Sequence, residues 1–146
     1  MSDTPTDTAA IPLSWTPALR VGHPAIDDDH KRLFELLGRA QGAVSQGQGA
    51  EIVREVVREL LDYTIYHFGR EEVVMRRHHY PDFLEHKKMH DEFVRKVATA
   101  RDRLILGSGG EVVLEPLLVF LREWLVNHIQ VVDKRLAAFV AENSTE

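Results

Sequence analysis

The sequence predicts an all-α fold, an up-down-up-down four-helix bundle with an extended N-terminal arm. Three observations predict it. Apolar residues recur at three- and four-residue spacing in four long stretches, turns rich in glycine or proline separate these stretches, and no useful length alternates with the period of two that is typical of strands. The 146 residues suffice for one domain with one sizeable core.

The N-terminal region precedes the first helix. Residues 1–10 are mostly Thr, Asp, Ser, Pro and Ala, so we expect a disordered tail followed by a domain over residues 11–142. Recurring prolines predict an extended arm over residues 11–26, with Trp15 as its apolar anchor. The start has no pattern of a secretion signal, and no stretch reaches the roughly 20 apolar residues of a membrane span. We therefore expect a cytoplasmic protein without membrane insertion.

The first two helices are predicted over residues 28–45 and 51–77. Acidic residues begin the first, "SQGQG" ends it, and its apolar stripe contains Leu33, Phe34, Leu36 and Leu37. "HHYPD" ends the second, because the residue before a proline disfavours helical geometry. Its apolar positions include Val53, Val57, Leu60, Leu61, Ile65 and Phe68.

The third and fourth helices are predicted over residues 81–106 and 116–140. "GSGG" separates them, and Pro116 is expected in the first turn of the fourth helix, where proline is tolerated. The inward residues of the third are Phe83, Phe93, Val94 and Val97.

Composition restricts the function. A net charge of −5 argues against a nucleic-acid partner, and the short basic run over residues 76–79 reads better as the end of a helix. Because the chain has no cysteine, any transition metal must be held by imidazole and carboxylate, and eight histidines are available.

Each predicted helix carries at least one candidate metal ligand. Taken singly, these residues are ordinary: helix-surface pairs, a buried histidine or solvated charges. Their neighbours are apolar, however, and an unpaired imidazole or carboxylate buried there would cost several kcal/mol. Seven ligands are too many for one zinc ion and suit two octahedral ions that share carboxylates. The donor set favours iron, with zinc, copper or manganese as alternatives in vitro. The candidates are His30, His67, Glu71, His86, His90, His128 and Asp133.

The motifs HxxxE, HxxxH and HxxxxD, with "IDDDH" before them and "YPDF" between the second and third helices, closely resemble the hemerythrin family. The single-domain bacteriohemerythrins look most similar, and the resemblance covers about residues 15–140. It implies two iron ions with an oxo or hydroxo bridge, and dioxygen as the ligand. One iron would bind His86, His90 and His128, and the other His30 and His67, with Glu71 and Asp133 bridging them.

The resemblance further implies that dioxygen binds at the iron with two histidines, which keeps an open position. Leu125 resembles the family residue that lines the oxygen pocket, although it could equally be an ordinary core leucine. We therefore expect reversible dioxygen binding, for transport or storage, by a monomer that is not an enzyme. The alternatives are a diiron peroxidase or nitric-oxide-handling enzyme, a sensor acting through a partner protein, and a structural metal bundle. An oxygen-accepting or redox partner protein is a further expectation.

The spacing in "HIQVVD" differs from that of the other pairs. His67 and Glu71 lie four positions apart, which leaves their side chains about 40° apart around a regular helix. His128 and Asp133 lie five positions apart, which would leave theirs about 140° apart. We predict a single π-type turn between Trp124 and Asp133, because such turns concentrate at functional sites. The alternative is an oblique fourth helix.

Overall fold

The computed structural model describes residues 14–48, 50–105 and 110–143. Each helix packs on the next and the fourth packs back on the first, so the predicted four-helix bundle is confirmed. The predicted disordered tail and the predicted end of the third helix lie outside the described residues. The helical segments are α1 (Pro24–Ser45), α2 (Ala50–Arg77), α3 (Phe83–Ile105), α4 (Gly110–Asn127), a π-helical turn (His128–Asp133) and α5 (Lys134–Glu142), the last three forming one continuous fourth helix.

Two helices begin earlier than predicted. α1 starts at Pro24, and the Nδ1 atom of His23 accepts the Ile26 N–H at 3.4 Å as its cap. The fourth helix starts at Gly110, so the prediction that Pro116 lies in its first turn is wrong. Proline has a helix-compatible φ, so the turn before it can still be helical, at the cost of one backbone hydrogen bond and of a steric clash between the proline ring and the carbonyl one turn earlier.

The described part of the arm before α1 contains a 3₁₀ turn at Pro17–Leu19 and a bend at Gly22, whose φ is 100°. The predicted extended arm is therefore extended only in part, and its last three residues, 24–26, are helical. Trp15 is half-buried against the core, as expected of the arm's anchor. The Asp27 carboxylate accepts the backbone N–H groups of Val21 at 2.8 Å and Gly22 at 3.2 Å. These two bonds hold the arm against the first turn of α1.

The turn after α2 reverses the chain so that α3 runs back along it. His79 takes the left-handed conformation with φ of 53°, and the Tyr80 N–H donates to the Met75 carbonyl at 2.9 Å. This is the six-to-one bond of a Schellman ending, accompanied by its usual hydrophobic contact, since Tyr80 and Met75 are both buried in one cluster.

The apolar core has two parts. The larger involves all four helices, and the smaller consists of Ile26, Met75, Tyr80, Leu136 and Val140. Ile65, predicted to face inward, is 48% exposed, because α2 turns Thr64 and Phe68 inward and Ile65 lies about 100° around the helix from Thr64. None of the described helices is long and apolar enough to cross a membrane.

Candidate metal centre

The structure brings the seven predicted polar residues into one buried cluster. On each helix, these polar residues lie between core residues that belong to the larger part of the apolar core and core residues that belong to the smaller part. Their exposed fractions are between 0 and 4%. The cluster contains His30 from α1, His67 and Glu71 from α2, His86 and His90 from α3, and His128 and Asp133 from the π turn.

Glu71 lies between two groups of histidines. Its Oε2 atom is 2.9 Å from His67 Nε2 and 3.5 Å from His30 Nε2. Its Oε1 atom is 3.2 Å from the Nε2 atoms of both His86 and His90. Each oxygen of this carboxylate therefore faces a different group.

Asp133 divides its oxygens in the same way. Its Oδ2 atom is 3.0 Å from His30 Nε2, whereas its Oδ1 atom is 3.2 Å from His86 Nε2 and 3.4 Å from His128 Nε2. Two sets of ligand atoms result, and within each set the atoms lie within 4.8 Å of one another. One set has three histidines and the other two, and both contain Glu71 and Asp133.

The unpaired atoms of the cluster test whether the residues fit metal ions. Both Glu71 carboxylate oxygens, Asp133 Oδ1, His30 Nε2 and His90 Nε2 are buried and form no hydrogen bond of good geometry among the described residues, although imidazole nitrogens lie 2.9 to 3.5 Å from the carboxylate oxygens. Burying such groups unpaired costs several kcal/mol. The atoms converge on common points, and a cation at each point would satisfy them all. Imidazole and carboxylate without thiolate suit iron. The residues present therefore fit two metal ions.

The π turn directs both of its site residues inward. The Lys134 N–H donates to the Ile129 carbonyl, an i to i+5 bond, and the π conformation covers the whole segment His128–Asp133. His128 and Asp133 are both buried, at 4% and 1% exposure. The predicted π turn is confirmed.

With no metal bound, the carboxylates and histidines of the cluster polarise one another. Burial alone would lower the pKa of His67, but the Glu71 charge and the hydrogen bond with Asp29 raise it to about 10. Burial alone would also lower the pKa of His86, but its contacts with Asp133 and Glu71 raise it to about 9. Burial would raise the pKa of Glu71, yet the neighbouring imidazoles hold it well below its usual value.

Asp133 behaves like Glu71. Burial and the Glu71 charge would each raise its pKa, but the neighbouring His128 and His30 lower it. The metal-free site thus stores its two negative charges against protonated histidines. This arrangement can exchange protons for metal cations.

Two carboxylates next to the cluster were not predicted. The Nδ1 atom of His67 lies 3.0 Å from Asp29 Oδ2, and that of His90 lies 3.1 Å from Glu72 Oε2. In each histidine the other ring nitrogen, Nε2, faces the shared carboxylates. No local pattern predicted these contacts, because Asp29 and Glu72 each reach a histidine on a neighbouring helix.

Aromatic rings cover the three-histidine set. Phe68 stacks on His90 with ring centroids 3.8 Å apart, and Trp124 stacks on His128 at 4.3 Å. Leu125, one turn before His128, is 2% exposed and belongs to the larger apolar part of the core. These contacts restrict the rotation of two imidazoles and cover one face of each ring with an aromatic side chain.

The fold and the cluster together define a four-helix-bundle protein whose core can hold a pair of metal ions through histidines and two shared carboxylates. The chain belongs to the hemerythrin family, because the family model described as "Hemerythrin HHE cation binding domain" matches residues 21–140.

Known relatives support this assignment. The chain is 37% identical over 125 residues to the bacteriohemerythrin of Stenotrophomonas maltophilia, which covers 86% of this chain and 79% of that protein. It is 34% identical to the bacteriohemerythrin of Methylococcus capsulatus, over 84% of this chain and 92% of that one. A crystal structure of a wild-type hemerythrin superposes with a TM-score of 0.81 at 30% identity, covering 88% of this chain and 97% of that one.

Proposed function

We propose that this protein binds dioxygen reversibly at a diiron centre in the bundle core, as a carrier or store rather than as an enzyme. The observation that carries the proposal is the division of both shared carboxylates, with one oxygen of each directed to each histidine set. His86, His90 and His128 would hold one iron, His30 and His67 the other, and Glu71 and Asp133 would bridge them.

The unequal sets supply a place for a small ligand. The larger set offers five protein donors and the smaller four. An ion held by the smaller set would have one protein donor fewer than an ion held by the larger set, and that missing donor would leave a place for a small ligand. A pair of ferrous ions held by these residues would supply the two electrons that dioxygen accepts on binding and gives back on release.

The surroundings favour binding over activation of oxygen. Oxygen-activating bundles supply four glutamates and two histidines to their ions, whereas this cluster supplies two carboxylates and five histidines. Fewer anionic ligands stabilise highly oxidised iron less. Leu125 would form an apolar wall that keeps water from the bound ligand.

An absorption titration tests the proposal. The iron-loaded protein is reduced under argon, exposed to air and returned to argon while its spectrum is recorded. We expect charge-transfer bands that appear in air, disappear under argon and return over several cycles, with two irons per chain. Bands that never form on a fully loaded site would refute the proposal. Steady consumption of added hydrogen peroxide without reversible bands would identify an enzyme instead.

A further inference from the structure

Asp29 is a buried acid of α1 that four polar side-chain atoms contact. It is 2% exposed, and its Oδ2 atom lies 3.0 Å from both His67 Nδ1 and Arg70 Nε. Its Oδ1 atom accepts Arg70 Nη2–H and the Tyr63 hydroxyl, each at 3.0 Å. One carboxylate thus receives a two-pronged guanidinium, a phenol and a candidate metal ligand.

The equivalent carboxylate on the other side of the cluster, Glu72, has no hydrogen-bonded cation among the described residues, and the Lys87 ammonium acts on its charge only from a longer distance. Glu72 Oε2 lies 3.1 Å from His90 Nδ1, and the Glu72 side chain is 14% exposed. Within the described part of the chain, no lysine or arginine nitrogen lies within 4.0 Å of its carboxylate. The two histidine sets are therefore held by the same kind of contact but with different charge.

This difference has a chemical consequence. A carboxylate that accepts an imidazole N–H fixes the tautomer and makes the opposite nitrogen a stronger donor to a metal ion. A guanidinium bound through two parallel N–H groups withdraws negative charge from the same carboxylate. Asp29 should therefore orient His67 firmly while polarising it less than Glu72 polarises His90.

We propose that Arg70 and Tyr63, acting through Asp29, are positioning residues that hold His67 in its Nδ1–H form and limit how strongly its Nε2 atom donates to iron. The proposal deepens the proposed diiron function and rests on it. By limiting donation, Arg70 favours the ferrous state, from which dioxygen binds. If Arg70 served only to tie α2 to α1, its removal would lower stability alone.

The test measures a potential and a metal affinity separately. In Arg70→Gln we expect the ratio of ferric to ferrous iron at a fixed potential to rise about tenfold, which corresponds to a fall of ~59 mV in the reduction potential of a one-electron couple. Arg70→Lys should recover part of the shift, because a cation again faces Asp29. Arg77→Gln is the matched control, since Arg77 is exposed at the end of the same helix and has no contact with Asp29.

Cobalt affinity supplies a second measurement that needs neither iron nor dioxygen. Asp29→Asn should weaken Co²⁺ binding by roughly 10- to 100-fold, while Arg70→Gln should leave it within about threefold of wild type. Equal potentials in Arg70→Gln and Arg77→Gln would overturn the proposal, as would unchanged cobalt affinity in Asp29→Asn. If Asp29→Asn does not fold, the half-exposed Arg70 still decides the question. Failure of reversible dioxygen binding in the wild type would refute the proposed function and leave the cobalt result interpretable.

Discussion

Metal loading should release protons from the cluster. Glu71 and Asp133 are buried carboxylates, and two uncompensated negative charges in a core are strongly unfavourable. In the metal-free protein His67, with a pKa of about 10, and His86, with a pKa of about 9, provide the compensating positive charges. A metal ion needs the neutral imidazole, so each of these protons must leave when the ion binds.

The size of the release follows from those values. At pH 7.5 a group with a pKa of about 9 is ~97% protonated, and one with a pKa of about 10 is almost fully protonated. We therefore expect at least two protons per chain, one each from His67 and His86, when Zn²⁺, which avoids redox chemistry, fills the cluster. His30, whose pKa its contacts with Asp133 and Glu71 raise against the effect of burial, adds to this release.

The assay is a zinc titration of metal-free protein in weakly buffered solution containing a pH indicator, calibrated with acid. His67→Asn should release about one proton fewer, whereas His79→Asn, which changes an exposed histidine outside the cluster, should release as many as wild type. A release below about half a proton at full zinc occupancy would refute the idea that protonated histidines balance the carboxylates.

The same histidines make the stability of the fold depend on pH, and the direction of that dependence differs between the metal-free and the zinc-loaded protein. The folded-state pKa of His67 and that of His86 lie above the ordinary value of 6.5. Their stabilisation is therefore complete below pH 6.5 and is lost as the pH rises through about 9 to 10. The melting temperature of the metal-free protein should therefore fall as the pH rises from 6.5 to about 10. The melting temperature of the zinc-loaded protein should instead rise between about pH 6 and 8, because fewer protons compete with the ion for the histidines. Parallel curves with and without zinc would contradict this account.

Three further predictions concern single changes in the fourth helix. His128→Ala should reduce bound iron below two per chain and lower the melting temperature, as measured by metal analysis and calorimetry. Leu125→Ala should keep two irons per chain but quicken autoxidation of the oxygenated form by admitting water. Leu118 is equally buried two turns earlier, so Leu118→Ala should lower the free energy of unfolding by a similar amount, about 2 to 5 kcal/mol, without quickening autoxidation. Equal autoxidation rates in the two variants would show that Leu125 does not keep water from the site. Deleting Val131 should leave two metals per chain, whereas deleting Glu123 should abolish metal binding.

The predictable part of this protein is the part governed by helical period. His67 with Glu71 and His86 with His90 share a face in any α-helix, so their spacing on apolar stripes was sufficient to bring them together. Burial of an imidazole without a partner is too costly to be accidental in several helices at once. The residues of the cluster could therefore be predicted from the sequence without knowledge of how the helices pack.

The rest depends on how neighbouring helices face each other, which one sequence does not reveal. Asp29 acts on His67 across the interface of α1 and α2, and nothing in its local pattern distinguishes it from the exposed Asp28 beside it. Ile65 fits the apolar spacing of α2 yet lies on the solvent side, because the helix rotates to bury Thr64 and His67. Tertiary packing overrides a weak local preference in both cases.

The π turn shows how a spacing that violates the regular period can still serve the site. Five residues of a π turn, with about 4.4 residues per turn, rotate the chain by nearly the same angle as four residues of an α-helix, so His128 and Asp133 face one way. Deleting the exposed Val131 should convert the segment to a regular α-helix in which both residues, and Leu136 beyond them, keep their orientation. Deleting Glu123 from the regular part of α4 instead rotates everything on one side by about 100° and removes either the core residues or the site residues from the interior. Loss of metal in the Val131 deletion would show that the wide turn itself, and not only the direction of its two side chains, is needed to hold the ions.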